Sequence, residues 1–400
     1  MASASERPEG QIDAQLELLL DAEVFAPQPL GRCNLLVGGG KLLWIGEEEP
    51  VLPEELGATV TDLGGARVVP GFVDAHAHVT GGGGEAGYAS SVPAVGLSRF
   101  TLAGVTSVVG LLGTDDCVRT TAQLLAATQA LVEQGLSAWC WTGGYHLPPT
   151  TLTGSVRGDI VHLERVIGFG ELAISDHRSS QPTLDEVLRL AAECHVAGLM
   201  TGKAGVLHLH VGDGARGLEL VREALAVSEL PPRTFHPTHT NRRRELFDEA
   251  LDLAGSGVTI DVTAYPTGEK DEGWSASEAV ARFLEADADS ARITVSSDAG
   301  GCLPKFGPDG RVAQFGVGAP AALGVALGEL LAQGWPLEHV LPAFTSNVAD
   351  LLRLRGKGRI AVGADADLVV LDDEHRVRHV LALGRWHVRD GKALVRGRFE

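Results

Sequence analysis

Two pairs of histidines, each separated by one residue, carry the clearest chemical potential of this sequence. His76 and His78 end one apolar run, and His208 and His210 end another. Because successive side chains of a β-strand point to opposite faces, the two imidazoles of a pair lie on the same side of their strand. Imidazole nitrogen is a ligand that Zn²⁺ and similar divalent ions accept. The spacing therefore predicts a metal site.

Three further side chains of suitable chemistry, Glu171, His239 and Asp298, end other apolar runs. One polar residue on a strand is usually a hydrogen-bonded part of the core, but so many would be costly to bury uncompensated. We place His208 in the core, one layer below His210. The six remaining ligands are too many for one tetrahedral zinc ion, so we expect two divalent ions bridged by a carboxylate. Zinc is the expected metal, and manganese and cobalt accept the same ligands.

The elements that position these residues are short apolar runs, most of them followed by a helical pattern. Parallel strands that are buried on both faces have such near-continuous apolar sequences. Eight strands alternating with helices predict an α/β fold, namely a closed (β/α)₈ TIM barrel, whose functional residues lie at the C-terminal strand ends. The predicted strands are 71–78, 105–113, 137–145, 166–175, 206–212, 233–240, 258–264 and 292–300.

Both ends of the chain have a different pattern, in which short apolar strands are separated by turn glycines. We expect residues 1–66 and 352–400 to pair into one small β-sandwich domain. Residues 67–351 would then form the metal-binding barrel between them.

The composition excludes several classes of protein. Of the 400 residues, 44% are hydrophobic and 21% are charged, which is typical of a globular protein and not of a disordered or fibrous one. The formal charge of −19 repels phosphate groups, so we expect no nucleic-acid partner and no membrane partner. The sequence shows no apolar stretch typical of a membrane span and no secretory signal. Five widely spaced cysteines predict reduced thiols in a cytoplasmic protein.

Two longer segments resemble the amidohydrolase superfamily: VVPGFVDAHAH at 68–78 and GKGRIAVGADADLVV at 356–370. Within that superfamily the chain is similar to the isoaspartyl dipeptidases. This similarity rests on HVTGGGGEAG (78–87), AGVTSVVGLLGTD (103–115), TGGYHLP (142–148), AISDHRSS (173–180), HVGD (210–213), PTHTNR (237–242) and SSDAGG (296–301), which occur in this order.

The resemblance implies a role for each predicted ligand. His76 and His78 would bind the more buried metal together with Asp298, and His210 and His239 would bind the second metal, with a hydroxide bridging the two ions. This assignment is chemically consistent, because a metal lowers the pKa of its bound water towards neutrality. Asp298 would take the proton of this water and deliver it to the leaving amine.

The resemblance also implies a substrate site. Glu85 would meet the substrate α-ammonium, Arg178 and Arg242 would hold its carboxylates, and Tyr145 would polarise the scissile carbonyl. A zwitterionic dipeptide needs such a set of one anionic and two cationic anchors, and arginine suits a carboxylate because it donates two parallel hydrogen bonds. Thr114 and Cys302 complete the expected substrate contacts.

These expectations together predict a binuclear metal-dependent hydrolase that cleaves the isopeptide bond of β-aspartyl dipeptides. Its partners would be this small-molecule substrate and further copies of the chain in a homo-oligomer. One alternative is the same machinery acting on another amide, either a cyclic amide or an N-acyl amino acid. Another is a metal-free scaffold relative.

Two positions depart from the family pattern. Glu171 stands where the family usually has a bridging carbamylated lysine, whose side chain is longer. The segment 166–174 is one residue longer than the family pattern, so we expect a bulge, helped by Gly168 or Gly170, that brings Glu171 inward. The competing hypothesis is a carbamylated Lys203. Cys302 stands where the family tends to have serine.

Overall fold

The computed structural model describes residues 16–265, 272–303, 305–306 and 312–400. Its strands are β1 (Glu17–Phe25), β2 (Pro29–Gly38), β3 (Lys41–Gly46), β4 (Thr59–Asp62), β5 (Arg67–Pro70), β6 (Phe72–Ala77), β7 (Val105–Gly110), β8 (Ser137–Thr142), β9 (Val166–Ile174), β10 (Val206–Val211), β11 (Phe235–Thr238), β12 (Ile260–Thr263), β13 (Ile293–Ser296), β14 (Lys305–Phe306), β15 (Val312–Gln314), β16 (Leu368–Leu371), β17 (Val377–Ala382), β18 (Arg385–Arg389) and β19 (Lys392–Ala393).

The α-helices are α1 (Leu97–Thr101), α2 (Thr121–Glu133), α3 (Val156–His162), α4 (Leu184–Thr201), α5 (Glu219–Val227), α6 (Arg244–Gly255), α7 (Ala276–Glu285), α8 (Ala321–Ala332), α9 (Leu337–Val340) and α10 (Ser346–Leu351). Short 3₁₀ helices cover Glu54–Leu56, Tyr88–Ser90, Pro232–Thr234, Ser290–Arg292 and Leu341–Phe344. No helix among the described residues combines the length and the apolar character needed to cross a membrane.

Six strands form one curled parallel sheet in the order β11-β10-β9-β8-β7-β6. Nearly every residue of these strands is buried, as expected for a sheet that helices cover. All eight strands predicted from apolar runs are confirmed, as β6 to β13. Helix starts are encoded locally, since α2, α4 and α7 each begin with a reciprocal capping box, formed by Thr120 with Gln123, Thr183 with Glu186 and Ser275 with Glu278.

β12 and β13 form a separate parallel pair that is bonded to both edges of the six-stranded sheet. On the β11 side, Thr238 Oγ1 donates to Asp261 Oδ2 at 2.7 Å. On the β6 side, the His78 amide donates to the carbonyl of Ala299 at 2.7 Å, and the Ser297 amide donates to Asp74 Oδ1 at 3.1 Å. Hydrogen bonds therefore connect this pair and the segment after it to both edges of the sheet.

The remaining long sheet joins both ends of the chain. It has nine strands in the order β19-β18-β17-β16-β5-β1-β2-β3, with β4 beside β1. The strands of the expected β-sandwich thus form one sheet that is connected by hydrogen bonds. The sheet branches at β1, because β1 pairs with β4 along its first half and with β5 along its second half. β5 also belongs to this sheet, beyond the boundary that we expected at residue 66.

Candidate metal and substrate site

The six predicted metal ligands meet at the C-terminal ends of the parallel strands. None of their side chains is more than 9% exposed. His76, Glu171 and His210 lie within β6, β9 and β10, while His78, His239 and Asp298 follow β6, β11 and β13. A strand end therefore positions each ligand, as the sequence predicts for a metal centre of this fold class.

Three of the ligands form one candidate metal group, namely His76, His78 and Asp298, whose ligand atoms lie within 4.8 Å of one another. Asp298 Oδ1 is 3.4 Å from His76 Nε2 and 3.2 Å from His78 Nε2. Within the described part of the chain, His76 Nε2 and Asp298 Oδ1 are buried without a hydrogen-bond partner. Orphaned lone pairs of this kind fit a divalent cation, which would compensate them.

Glu171 lies between two sets of imidazoles. Its Oε1 is 3.6 Å from His76 Nε2 and 3.4 Å from His78 Nε2. Its Oε2 is 3.1 Å from His210 Nδ1 and 3.5 Å from His239 Nε2. The two oxygens of one carboxylate thus face different ligands, which is the arrangement that a bridging carboxylate requires.

A second candidate metal group contains His76, Glu171 and His239. The family resemblance of the sequence instead implies that His239 shares a metal ion with His210. His210 is close to the group, but both of its ring nitrogens have other neighbours: Nδ1 is 2.7 Å from the Tyr145 hydroxyl and Nε2 is 3.0 Å from Asp176 Oδ2.

A bulge in β9 brings Glu171 inward, which confirms that prediction. Phe169 pairs with Leu207 and Leu172 pairs with Leu209, so β9 takes three steps where β10 takes two. Gly170 permits the close approach of the two strands, since an added Cβ would lie 2.8 Å from the Cβ of His208.

The competing hypothesis for the bridge, a carbamylated Lys203, is wrong. The Lys203 ammonium donates to the carbonyls of Ile160, at 2.5 Å, and Leu163, at 2.7 Å. It thus binds the C-terminal part of α3, whereas Glu171 faces the ligands.

Glu85 gathers most of the predicted substrate contacts around its carboxylate. Thr114 Oγ1 donates to Glu85 Oε1 at 3.2 Å, and Arg178 Nη1 donates to the same oxygen at 3.3 Å. Burial, followed by the charge of Glu85, raises the pKa of the Cys302 thiol to about 12, which keeps the thiol protonated. Glu85 Oε2 is buried and has no hydrogen-bond partner among the described residues. It can therefore accept a hydrogen bond from a bound ammonium group.

Asp176, which was not among the residues predicted from the sequence, holds the guanidinium of Arg178. Arg178 Nε donates to Asp176 Oδ1 at 3.0 Å, and Nη2 donates to Oδ2 at 2.8 Å. Although burial opposes its ionisation, hydrogen bonds from His210 and Arg178 hold the pKa of Asp176 well below its usual range. A carboxylate two residues before a predicted anion-binding arginine is the sequence signal that could have indicated it.

Tyr145 and Arg242 are the remaining predicted substrate contacts. Tyr145 is buried, and burial together with the charge of Glu171 raises the pKa of its phenol well above its usual range. Arg242 Nη1 lies 3.3 Å from Oδ1 of Asp213, an exposed residue. Burial is the main cause of the lowered pKa of His210, and the charge of Arg242 lowers it further.

Comparisons with known proteins agree with this geometry. A sequence model described as "Amidohydrolase family" matches residues 67–387. A crystal structure of β-aspartyl dipeptidase from Fervidobacterium islandicum AW-1 in complex with β-Asp-Leu is 37% identical, with a TM-score of 0.89, and the match covers 95% of this chain and 98% of that chain. A second crystal structure of that enzyme has a TM-score of 0.86 at the same identity and coverage. An imidazolonepropionase from Paracoccus denitrificans is 24% identical over 370 residues, 88% of this chain and 90% of that protein.

Proposed function

Because this chain belongs to the amidohydrolase family and is a hydrolytic enzyme, we propose that it cleaves the isopeptide bond of β-aspartyl dipeptides. The observation that carries the proposal is the Glu85–Arg178 ion pair beside the six metal ligands. A substrate that carries both an ammonium and carboxylates can take the place of this ion pair. Its ammonium would pair with Glu85, and one of its carboxylates would pair with Arg178. A neutral cyclic amide would leave these charges without a function.

Two divalent metal ions, zinc in our proposal, fit the donor set. His76, His78 and Asp298 would hold one ion, His210 and His239 would hold the other, and Glu171 would bridge them. When bound, such ions lower the pKa of a water molecule, so that hydroxide, a nucleophile for an amide, is available near neutral pH. Support comes from the different neighbours of the two Glu171 oxygens, since Oε1 faces His78 and Oε2 faces His210.

The side chains around the ligands would bind the dipeptide at its charged groups. Glu85 would accept hydrogen bonds from the α-ammonium through Oε2, the oxygen without a partner among the described residues. Arg178 would donate to one carboxylate and Arg242 to the other, and Thr114 and Cys302 would line the pocket near Glu85. Water is excluded where these groups are buried, and this strengthens each charged contact.

Asp298 would carry out proton transfer, and Tyr145 would stabilise the negative charge that develops on the substrate. Asp298 would accept the proton of the attacking water and donate it to the leaving amine. The phenol of Tyr145 stays protonated because its pKa is raised, so its hydroxyl would donate a hydrogen bond to the oxyanion that develops from the scissile carbonyl.

We also infer that β12 and β13 close the six-stranded sheet into a (β/α)₈ barrel. The side-chain bonds of Asp261 to β11 and of Asp74 to the segment after β13 support this closure. The sheet of both chain ends would then be a second domain. A homo-oligomer and a cytoplasmic location stay predictions from the sequence.

The decisive experiment compares hydrolysis of β-Asp-Leu and α-Asp-Leu by the zinc-loaded protein, with a chelated sample as control. We expect cleavage of the β form alone, and loss of that cleavage on chelation. If two metal ions bind and neither peptide is cleaved, the alternative of another amide substrate replaces the dipeptide. If no divalent ion binds, the scaffold alternative holds.

A further inference from the structure

A continuous line of hydrogen bonds runs from His76 into the interior between the strands. His76 Nδ1 is 2.8 Å from His208 Nε2, and His208 Nδ1 is 3.0 Å from His236 Nδ1. His236 Nε2 is 3.0 Å from Thr294 Oγ1, which donates to Asp261 Oδ1 at 2.6 Å. All five residues are fully buried. No functional role was predicted from the sequence for His208, His236, Thr294 or Asp261.

The direction of this line follows from its two ends. At one end, His76 Nε2 faces Glu171 and Asp298 and must keep its lone pair free to bind a metal, so Nδ1 carries the proton and donates it to His208 Nε2. His208 then carries its own proton on Nδ1 and donates it to His236, whose carbonyl oxygen is also within 3.1 Å. His236 Nε2 donates to the Thr294 hydroxyl, and the hydroxyl donates to Asp261.

We propose that His208 and His236 are positioning residues that fix the tautomer and the ring orientation of His76, with Asp261 as the anchor of the line. The proposal rests on the metal-binding role of His76 proposed above. Every donor points away from the metal ligand and towards a carboxylate. A histidine whose other ring nitrogen donates to such a chain is a more basic and better oriented metal ligand.

The packing around His208 is arranged to hold its ring in place. Trp141 stacks on it, with ring centroids 5.2 Å apart and an angle of 15° between the planes. The Trp141 indole nitrogen in turn donates to the carbonyl of Ala75, next to His76, at 3.0 Å. Gly170 leaves room for His208, because a Cβ there would come within 2.8 Å.

A purely structural role would not require these residue types. Leucine or phenylalanine could fill the same interior volume without the cost of removing two imidazoles from water. The contrast is His387 of β18, which is also fully buried but has neither ring nitrogen hydrogen-bonded within the described part of the chain. His387 therefore provides a matched control for the replacement of a buried histidine away from the ligands.

The test measures the metal affinity of the full-length protein by competition between the apoprotein and a chromophoric chelator for Zn²⁺. We expect His208→Leu, which removes the acceptor for His76, to weaken binding about 10–100-fold. His208→Gln keeps an acceptor oxygen and should stay within a few-fold of the wild type. His387→Leu should not change the affinity. With Co²⁺, only His208→Leu should alter the visible absorption spectrum.

Three results would overturn the proposal: wild-type affinity in His208→Leu, equal weakening in His208→Leu and His208→Gln, or equal weakening in His387→Leu. If His208→Leu does not fold, Thr294→Val takes its place, because it breaks the line of hydrogen bonds before Asp261 at nearly constant side-chain volume. This variant should bind Zn²⁺ several-fold more weakly than the wild type, and wild-type affinity would also overturn the proposal. A wild-type protein that binds no Zn²⁺ would instead show that the proposed metal role of His76 is wrong.

Discussion

Oε2 of Glu171 lies 3.1 Å from Nδ1 of His210, at the centre of the cluster of ligands. Glu171 is already a carboxylate, whereas the lysine that the family resemblance implies at this position has to react with carbon dioxide. We therefore expect the same activity in bicarbonate-depleted and bicarbonate-supplemented buffer. A rate of β-Asp-Leu hydrolysis that rises with added bicarbonate would contradict this expectation.

Replacement of Glu171 by glutamine should remove the negative charge that two cations share. We expect Glu171→Gln to lose at least one of two bound metal ions. We also expect its kcat to fall about 100-fold or more, which is the usual cost of removing a group that stabilises charge in the transition state. Metal content by elemental analysis and steady-state kinetics would measure both effects. Glu164→Gln is the control, because Glu164 is 85% exposed and should keep full metal content.

Arg178 is held by two parallel contacts to Asp176, and lysine cannot make this pair of contacts. Arg178→Lys should therefore lower kcat/KM for β-Asp-Leu about 10–100-fold, mainly through KM, because a charge remains but its position is lost. Arg157→Lys is the control, because it alters only the exposed ion pair of Arg157 with Glu193. Its kcat/KM should equal that of the wild type. A pure loss of kcat in Arg178→Lys would indicate a role in the chemical step and not in binding.

Cys302 should be much less reactive than Cys117. Burial and the nearby Glu85 raise the pKa of the Cys302 thiol to about 12, and the thiolate is the form that reacts, whereas Cys117 is exposed. Brief treatment with iodoacetamide at pH 8, followed by peptide mass spectrometry, should show modified Cys117 and unmodified Cys302. Denatured protein provides the control for full labelling, and equal labelling of both cysteines in the native protein would refute the prediction.

The stability of the protein should depend on the ionisation of Asp261. Burial raises its pKa from 3.8 to about 7, although three hydroxyl groups donate to it. The folded state thus holds a proton that the unfolded state releases, so this residue contributes most to stability below pH 4 and the contribution is lost as the pH rises towards 7. The loss amounts to about 1.4 kcal/mol per pH unit within that window.

Chemical denaturation of the wild type and of Asp261→Asn at pH 5 and pH 8 would isolate this effect. The free energy of unfolding of the variant should improve relative to the wild type as the pH rises, because asparagine has no charge to bury. Asp350→Asn, at a 64% exposed position, should change little between the two pH values. A constant difference between the wild type and Asp261→Asn would contradict the prediction.

The strands and the cluster of candidate ligands could be predicted from the sequence because both depend on local patterns. Apolar runs mark buried parallel strands, and strand ends mark the site. The six candidate ligands could therefore be found from the sequence. Asp176 and the line from His208 to Asp261 were not found, because their roles depend on which residues face each other across neighbouring strands. The branch of the terminal sheet at β1 was missed for the same reason: one strand pairs with two partners at once.

The terminal sheet also determines when the protein can finish folding during translation. β5 leads directly through Gly71 into β6, the strand of His76, whereas its partner β16 is translated only after all of the strands β6 to β15. Until β16 is translated, the edge of β5 that it covers stays open, directly before the strand that carries His76. A premature stop codon before Leu368 should therefore leave a nascent chain with an unpaired, apolar edge, a typical starting point for aggregation and for recognition by chaperones.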